Sequence, residues 1–74
     1  MFDARRFLRE HFQNAGGIVA HCRAAGVKSP SEEAAQKWLE RSSLTGDNLA
    51  KLLFVLETEK GQAVSIRPYV RKKP

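Results

Sequence analysis

A mainly α domain of four short helices, followed by an extended or β segment, is the fold predicted for this 74-residue chain. Three observations predict it. Apolar residues recur at helical spacing in four stretches, glycines and capping residues punctuate those stretches, and after Gly61 the pattern changes to alternation. Residues 1–61 form the expected helical unit, and residues 62–74 an expected strand or arm with a basic tail.

The first helix is expected from Asp3 to Phe12, where Ala4, Leu8 and Phe12 repeat every four residues and Phe7 widens the stripe. Asn14-Ala15-Gly16-Gly17 interrupts it, because paired glycines are poor helix formers. The second helix then runs from about Gly17 to Ala25, with Ile18, Val19, Cys22 and Ala25 on one face. Gly26 leaves that helix with positive φ, and Val27 returns to the core. Ser29 is expected to cap a third helix, with Pro30 in its first position and Glu32 completing a capping box. That helix ends near Arg41 and turns Trp38, in register with Ala34, Ala35 and Leu39, toward the core. A loop from Ser42 to Gly46 turns Leu44 inward, and Thr45 caps a fourth helix whose buried stripe is Leu49, Leu52, Leu53 and Leu56. Lys60-Gly61 ends it. Val64 and Ile66 then alternate with Ser65 and Arg67 as in a half-buried strand. With no second strand in the chain, that segment either pairs with its counterpart in another subunit or lies as an arm across the helices.

A domain of this size buries only about 60% of its unfolded surface, so dimerisation would add substantially to its stability. The single Cys22 cannot form an internal disulfide and reads as a buried structural thiol, which suits a reducing cytoplasm. No signal-peptide pattern and no membrane-length apolar run is present, so a soluble cytoplasmic protein is expected. The formal net charge of +5 is unevenly spread. Residues 1–31 set Arg5, Arg6, Arg9, Arg23 and Lys28 against two acids, and residues 32–59 carry six acids against three bases. The last fifteen residues hold Lys60, Arg67, Arg71, Lys72 and Lys73 with no acid, a tail suited to a polyanion.

Two short helices joined by a tight turn, Ile18 to Val27 and Pro30 to Arg41, are helix-turn-helix grammar and point to double-stranded DNA. From Gly17 to Leu56 the chain resembles the lambda-repressor and Cro type of helix-turn-helix regulators of phages and mobile elements. The likeness lies in Cys22 four before Gly26, the Gly26-Val27 turn, Ala35 and Trp38 three apart, a polar loop, and the helix from Leu49 to Leu56. It departs from the family in the stretch from Gly26 to Trp38, which is longer than the usual spacing and starts the recognition helix a turn earlier.

The resemblance implies a phage-encoded or bacterial homodimeric regulator, Cro-like or repressor-like, with its third helix in the major groove. Gln36 follows Ala35 at a position where the family contacts bases, and its amide can pair bidentately with adenine. Lys37, Ser31 and Glu33 are the other candidate base contacts. Lys37 can donate to guanine; Glu33 can accept from cytosine N4 or pair with Lys37 four residues on. Candidate phosphate contacts are Asn14 and Gly17 at the amides opening the second helix, together with Arg23, Lys28, Ser29, Arg41, Lys51, Arg71, Lys72 and Lys73. Phe54 and Val55 lie beside the fourth helix's apolar stripe and suggest a dimer face, joined by Val64, Ile66 and Tyr69. Such a dimer would match an inverted-repeat operator.

Catalysis is not expected. His11 and His21 are ten apart, adjacent His21 and Cys22 diverge on a helix, and no glycine pattern makes a phosphate loop. No metal, cofactor or small-molecule ligand is expected. The competing readings are a small protein-interaction module, such as a phage inhibitor or antitoxin-like protein, and a non-specific DNA binder.

Overall fold

The computed structural model describes residues 2–70, and the tail residues Arg71, Lys72 and Lys73 proposed above for phosphate contact lie outside them. Four helices follow one another, α1 (Ala4–Phe12), α2 (Ala15–Ala24), α3 (Glu32–Arg41) and α4 (Gly46–Lys60), and a single 3₁₀ turn (Arg67–Tyr69) closes the described chain. None of the helices is long and apolar enough to cross a membrane.

Each helix begins on a side-chain cap. Asp3 accepts from the Arg6 amide, Asn14 from Gly17, Ser31 from Ala34 and Thr45 from Asn48. Two of these starts differ from expectation. Helix α2 begins at Ala15 and takes both glycines into its first turn, because the Asn14 side-chain oxygen, 2.8 Å from the Gly17 nitrogen, offsets their low propensity. Helix α3 is capped by Ser31 rather than Ser29, so Ser29 and Pro30 belong to the connection. That choice sets Glu32 and Glu33 in the first turn, where carboxylates complement the helix dipole.

The α1–α2 junction is unusually tight. Gln13 sits at φ 72°, ψ −59°, and the Asn14 amide donates to the Phe12 carbonyl at 2.9 Å, which makes a γ-turn. Helix α2 ends as expected, with Gly26 at φ 75° and the Val27 amide returning to the Cys22 carbonyl at 3.1 Å.

The core gathers Phe7, Leu8, Phe12, Ile18, Cys22, Ala35, Leu39, Leu52, Val55, Leu56 and Tyr69, with Val27, Trp38, Leu44, Leu49 and Leu53 half-buried against it. Helix α3 packs across both α1 and α2, α4 packs on α2, and the 3₁₀ turn packs on α1. Val55 is fully buried, so the apolar stripe of α4 is Leu52, Val55 and Leu56, and Val55 is unavailable to a dimer face. Burial raises the pKa of the Cys22 thiol, consistent with a structural role.

No strand forms among the described residues. Val64 and Ile66 are half-buried against the chain's own core, and Tyr69 is buried in it. The reason is local: Pro68 has no amide to offer a ladder, but its fixed φ suits a 3₁₀ turn closed by Tyr69 N–H to the Ile66 carbonyl at 3.0 Å. The segment is therefore an intramolecular arm. Phe2 and Val70 form one antiparallel bridge, and the Asp3 amide donates to the Tyr69 carbonyl at 2.6 Å.

Candidate nucleic-acid interface

Helix α3 buries Ala35 and Leu39, half-buries Ala34 and Trp38, and leaves Ser31, Glu32, Glu33, Gln36, Lys37, Glu40 and Arg41 exposed. Its position is fixed at both ends. The Ser31 hydroxyl caps the first turn at 3.1 Å from the Ala34 nitrogen. At the other end Arg5 of α1 reaches across: its Nε donates to the Leu39 carbonyl at 2.8 Å, its Nη2 to the Glu40 carbonyl at 2.6 Å, and its backbone amide to Ser42 Oγ at 3.0 Å. Helix C-termini leave carbonyls without intrahelical partners, and a guanidinium both satisfies them and complements the dipole. Arg5→Ala is expected to destabilise the protein by about 1.5 kcal/mol in urea denaturation. Arg5→Lys should recover only part of this, because one ammonium does not match the fork that spans two carbonyls.

A shallow groove of about 400 Å³ runs between α1 and α3 and is lined by Arg5, Arg9, Gln13, Asn14, Gln36, Leu39 and Glu40. On the opposite flank of α3 a smaller recess of about 200 Å³ is lined by Ala34, Lys37, Trp38, Arg41, Ser43 and Thr45. Gln36 and Lys37 thus stand on a ridge between two recesses of mixed polar and apolar lining. Arg9 contributes a cation to one and Arg41 to the other, and neither makes an ion pair among the described residues.

The remaining candidates divide. Lys37 Nζ lies 3.7 Å from Glu33 Oε1, an exposed i, i+4 pair that screening keeps weak. Gly17 is not an open anion site, since its amide is already bound by Asn14; the exposed Asn14 keeps only its NH₂ group for a partner. Arg23 and Lys28 are exposed without ion pairs among the described residues, whereas Ser29 is half-buried in the α2–α3 connection. Lys51 is half-buried on α4, one turn before the exposed Phe54. Among the proposed dimer residues Phe54 alone is strongly exposed, at 56%.

Arg9 and Gln13 were not singled out from the sequence as partners of Gln36. Their basic or polar character on the outer side of α1 was visible, but their adjacency to α3 is a product of the α1–α3 packing. Arg6 is occupied elsewhere, paired with Glu10 at 3.0 Å and stacked over the Tyr69 ring at 5.3 Å. His11 lies 3.2 Å from the Tyr69 hydroxyl, and burial, aided by Lys60, lowers its pKa. His21 Nδ1 and Glu59 Oε1 are 2.5 Å apart and tie α2 to α4. No group of three or more His, Cys, Asp or Glu side chains converges among the described residues. No protein-family model, curated protein or solved structure matches the chain.

Proposed function

We propose that the chain is a sequence-specific double-stranded DNA-binding regulator of the helix-turn-helix type, in which α2 and α3 are the paired helices and α3 enters the major groove. The observation that carries this reading is the Gln36–Lys37 ridge: two exposed side chains of types able to pair with base edges, on a helix held at both ends and flanked by Arg9 and Arg41 without ion-pair partners among the described residues. Gln36 pairs with adenine N6 and N7, and Lys37 exchanges its weak contact with Glu33 for a guanine or phosphate acceptor. Ser31, already a cap acceptor, still has its hydroxyl proton to donate to phosphate. Arg9, Arg23, Lys28 and Arg41 supply phosphate contacts that position the helix without reading sequence. Two copies on a two-fold axis would occupy an inverted-repeat operator, and the regulator would act by occupying it.

The test is selection of bound duplexes from a randomised pool at near-physiological salt, repeated with Gln36→Ala. Enrichment of a defined half-site is expected, and the variant should lose about 1–3 kcal/mol of discrimination at one base pair per half-site. Retention without enrichment would mean non-specific binding and would overturn the reading. The exposure of Phe54 favours one other reading, a protein-interaction module, under which Gln36→Ala leaves binding intact and Phe54→Ala abolishes it.

A further inference from the structure

Trp38 is the chain's one tryptophan, and the duplex reading gives it no role beyond packing. Ser42, in the left-handed region at φ 50°, turns the chain back at the end of α3, and the Ser43 amide donates to the Trp38 carbonyl at 3.1 Å. This brings Ser43 and Thr45 beside Trp38, and the three share the recess of about 200 Å³ with Ala34, Lys37 and Arg41. Trp38 is half-buried, and the part of it left uncovered lines this recess. Lys37 and Arg41 are exposed cations, and no carboxylate belongs to the lining; Glu33, 3.7 Å from Lys37, stands outside it. The Ser43 hydroxyl has no partner among the described residues, and the Thr45 hydroxyl, which accepts from the Asn48 amide, still has a proton to donate.

We infer that this recess takes one unpaired base of a single-stranded nucleic acid, the base against Trp38 and the phosphates on either side of it at Lys37 and Arg41. An aromatic wall beside two cations and no acid selects a ligand that is both planar and negatively charged. Stacking of bases on aromatic side chains along a basic surface is how single strands are held. The recess is smaller than the roughly 300–1,000 Å³ that encloses a drug-sized ligand, so it admits one ring system and leaves sugar and phosphates outside, where the cations stand. The base must be unpaired, because a duplex hides both faces of each base in its stack and offers only the edges. The Ser43 and Thr45 hydroxyls then serve the edge of the base. This goes beyond the duplex reading and does not depend on it, since Gln36 lines the other groove and takes no part. Lys37 and Arg41 serve both ligands, so duplex and single strand compete for α3.

Trp38 fluorescence reports the recess directly, with no other tryptophan to obscure it. Titration with an oligothymidylate of roughly eight nucleotides, within the site sizes of single-strand binders, is expected to quench it to saturation. Thymidine monophosphate should bind at least tenfold more weakly, since it lacks the second phosphate. Lys37→Ala and Arg41→Ala should each flatten the slope of log affinity against log salt by about 0.7. Trp38→Leu, followed by anisotropy of a labelled strand, should weaken binding roughly 5- to 150-fold, the loss of one stacked base. Circular dichroism checks that each variant keeps its helices, and the two charge variants keep the test decisive if Trp38→Leu does not fold. Gln36→Ala should bind the strand unchanged, which separates failure here from failure of base reading in the duplex. A strand that binds without quenching, or does not bind, overturns the assignment. So does a monophosphate that binds as tightly as the strand, which would make the free nucleotide the ligand, or a salt slope that neither charge variant alters.

Discussion

Gly17→Ala is expected to destabilise the protein by at least about 3 kcal/mol, lowering its melting temperature by roughly 12 °C or more, while Gly16→Ala next to it leaves stability unchanged or slightly raised. A Cβ at Gly17 would overlap the Phe12 carbonyl oxygen and crowd the Phe12 carbonyl carbon at 3.1 Å. Both are backbone atoms, so no rotamer change relieves the clash. The carbonyl stands there because the γ-turn at Gln13 folds the end of α1 onto the start of α2. Relief requires α1 and α2 to separate, which opens the core around Phe12 and Ile18. At Gly16 the nearest atom is the side-chain Oδ1 of Asn14 at 3.4 Å, an ordinary contact, and alanine there adds helix propensity worth up to about 1 kcal/mol. For a chain of this length total stability is on the order of 4–11 kcal/mol, so the Gly17 variant loses a large part of it. Thermal melts of the two variants without DNA check the prediction. Equal melting temperatures would show that the junction is loose.

The same junction shows what can be read from residues alone. The glycine pair was visible as a helix interruption, but the side-chain cap that starts α2 ahead of it was not, because Asn14 reads equally well as loop or cap. At Ser29-Pro30-Ser31 two serines satisfy the same local grammar, and the structure uses the second. Thr45, Gly26 and Gly61 had no nearby competitor, and they cap or end their helices where the spacing placed them. The α4 stripe was displaced at Val55 for a different reason: several apolar residues crowd that helix, and only the direction of α2 decides which of them face inward. At the candidate interface, the exposure of Gln36 and Lys37 follows from helical periodicity around Ala35 and Leu39. The Arg5 cap on α3 does not, since it joins residues 34 and 35 positions apart through a packing that no local pattern encodes.

Tyr69→Ala is expected to cost about 3 kcal/mol, and the loss should not depend on protein concentration. Alternation of Val64 and Ile66 suggested a strand between subunits, in which Tyr69 would serve a dimer. Instead its ring packs edge-on against Phe7 at 5.4 Å between centroids, its hydroxyl meets His11 Nε2 at 3.2 Å, and Arg6 lies over its face. Phe7 in turn packs tilted against Phe2 and His11 and edge-on against Phe12, so the arm closes an aromatic cluster that α1 alone leaves open. Truncation removes ring area, leaves the edge of Phe7 to water, and frees the Phe2–Val70 bridge to open. Tyr69→Phe separates the contributions: it keeps the ring and loses the hydroxyl's contacts with His11 and Glu10, a cost of about 1 kcal/mol. Urea denaturation of both variants at two protein concentrations tenfold apart decides the matter. An arm docked on its own core gives midpoints that coincide at the two concentrations, whereas an arm exchanged between subunits gives midpoints that rise with concentration, because dissociation then accompanies unfolding.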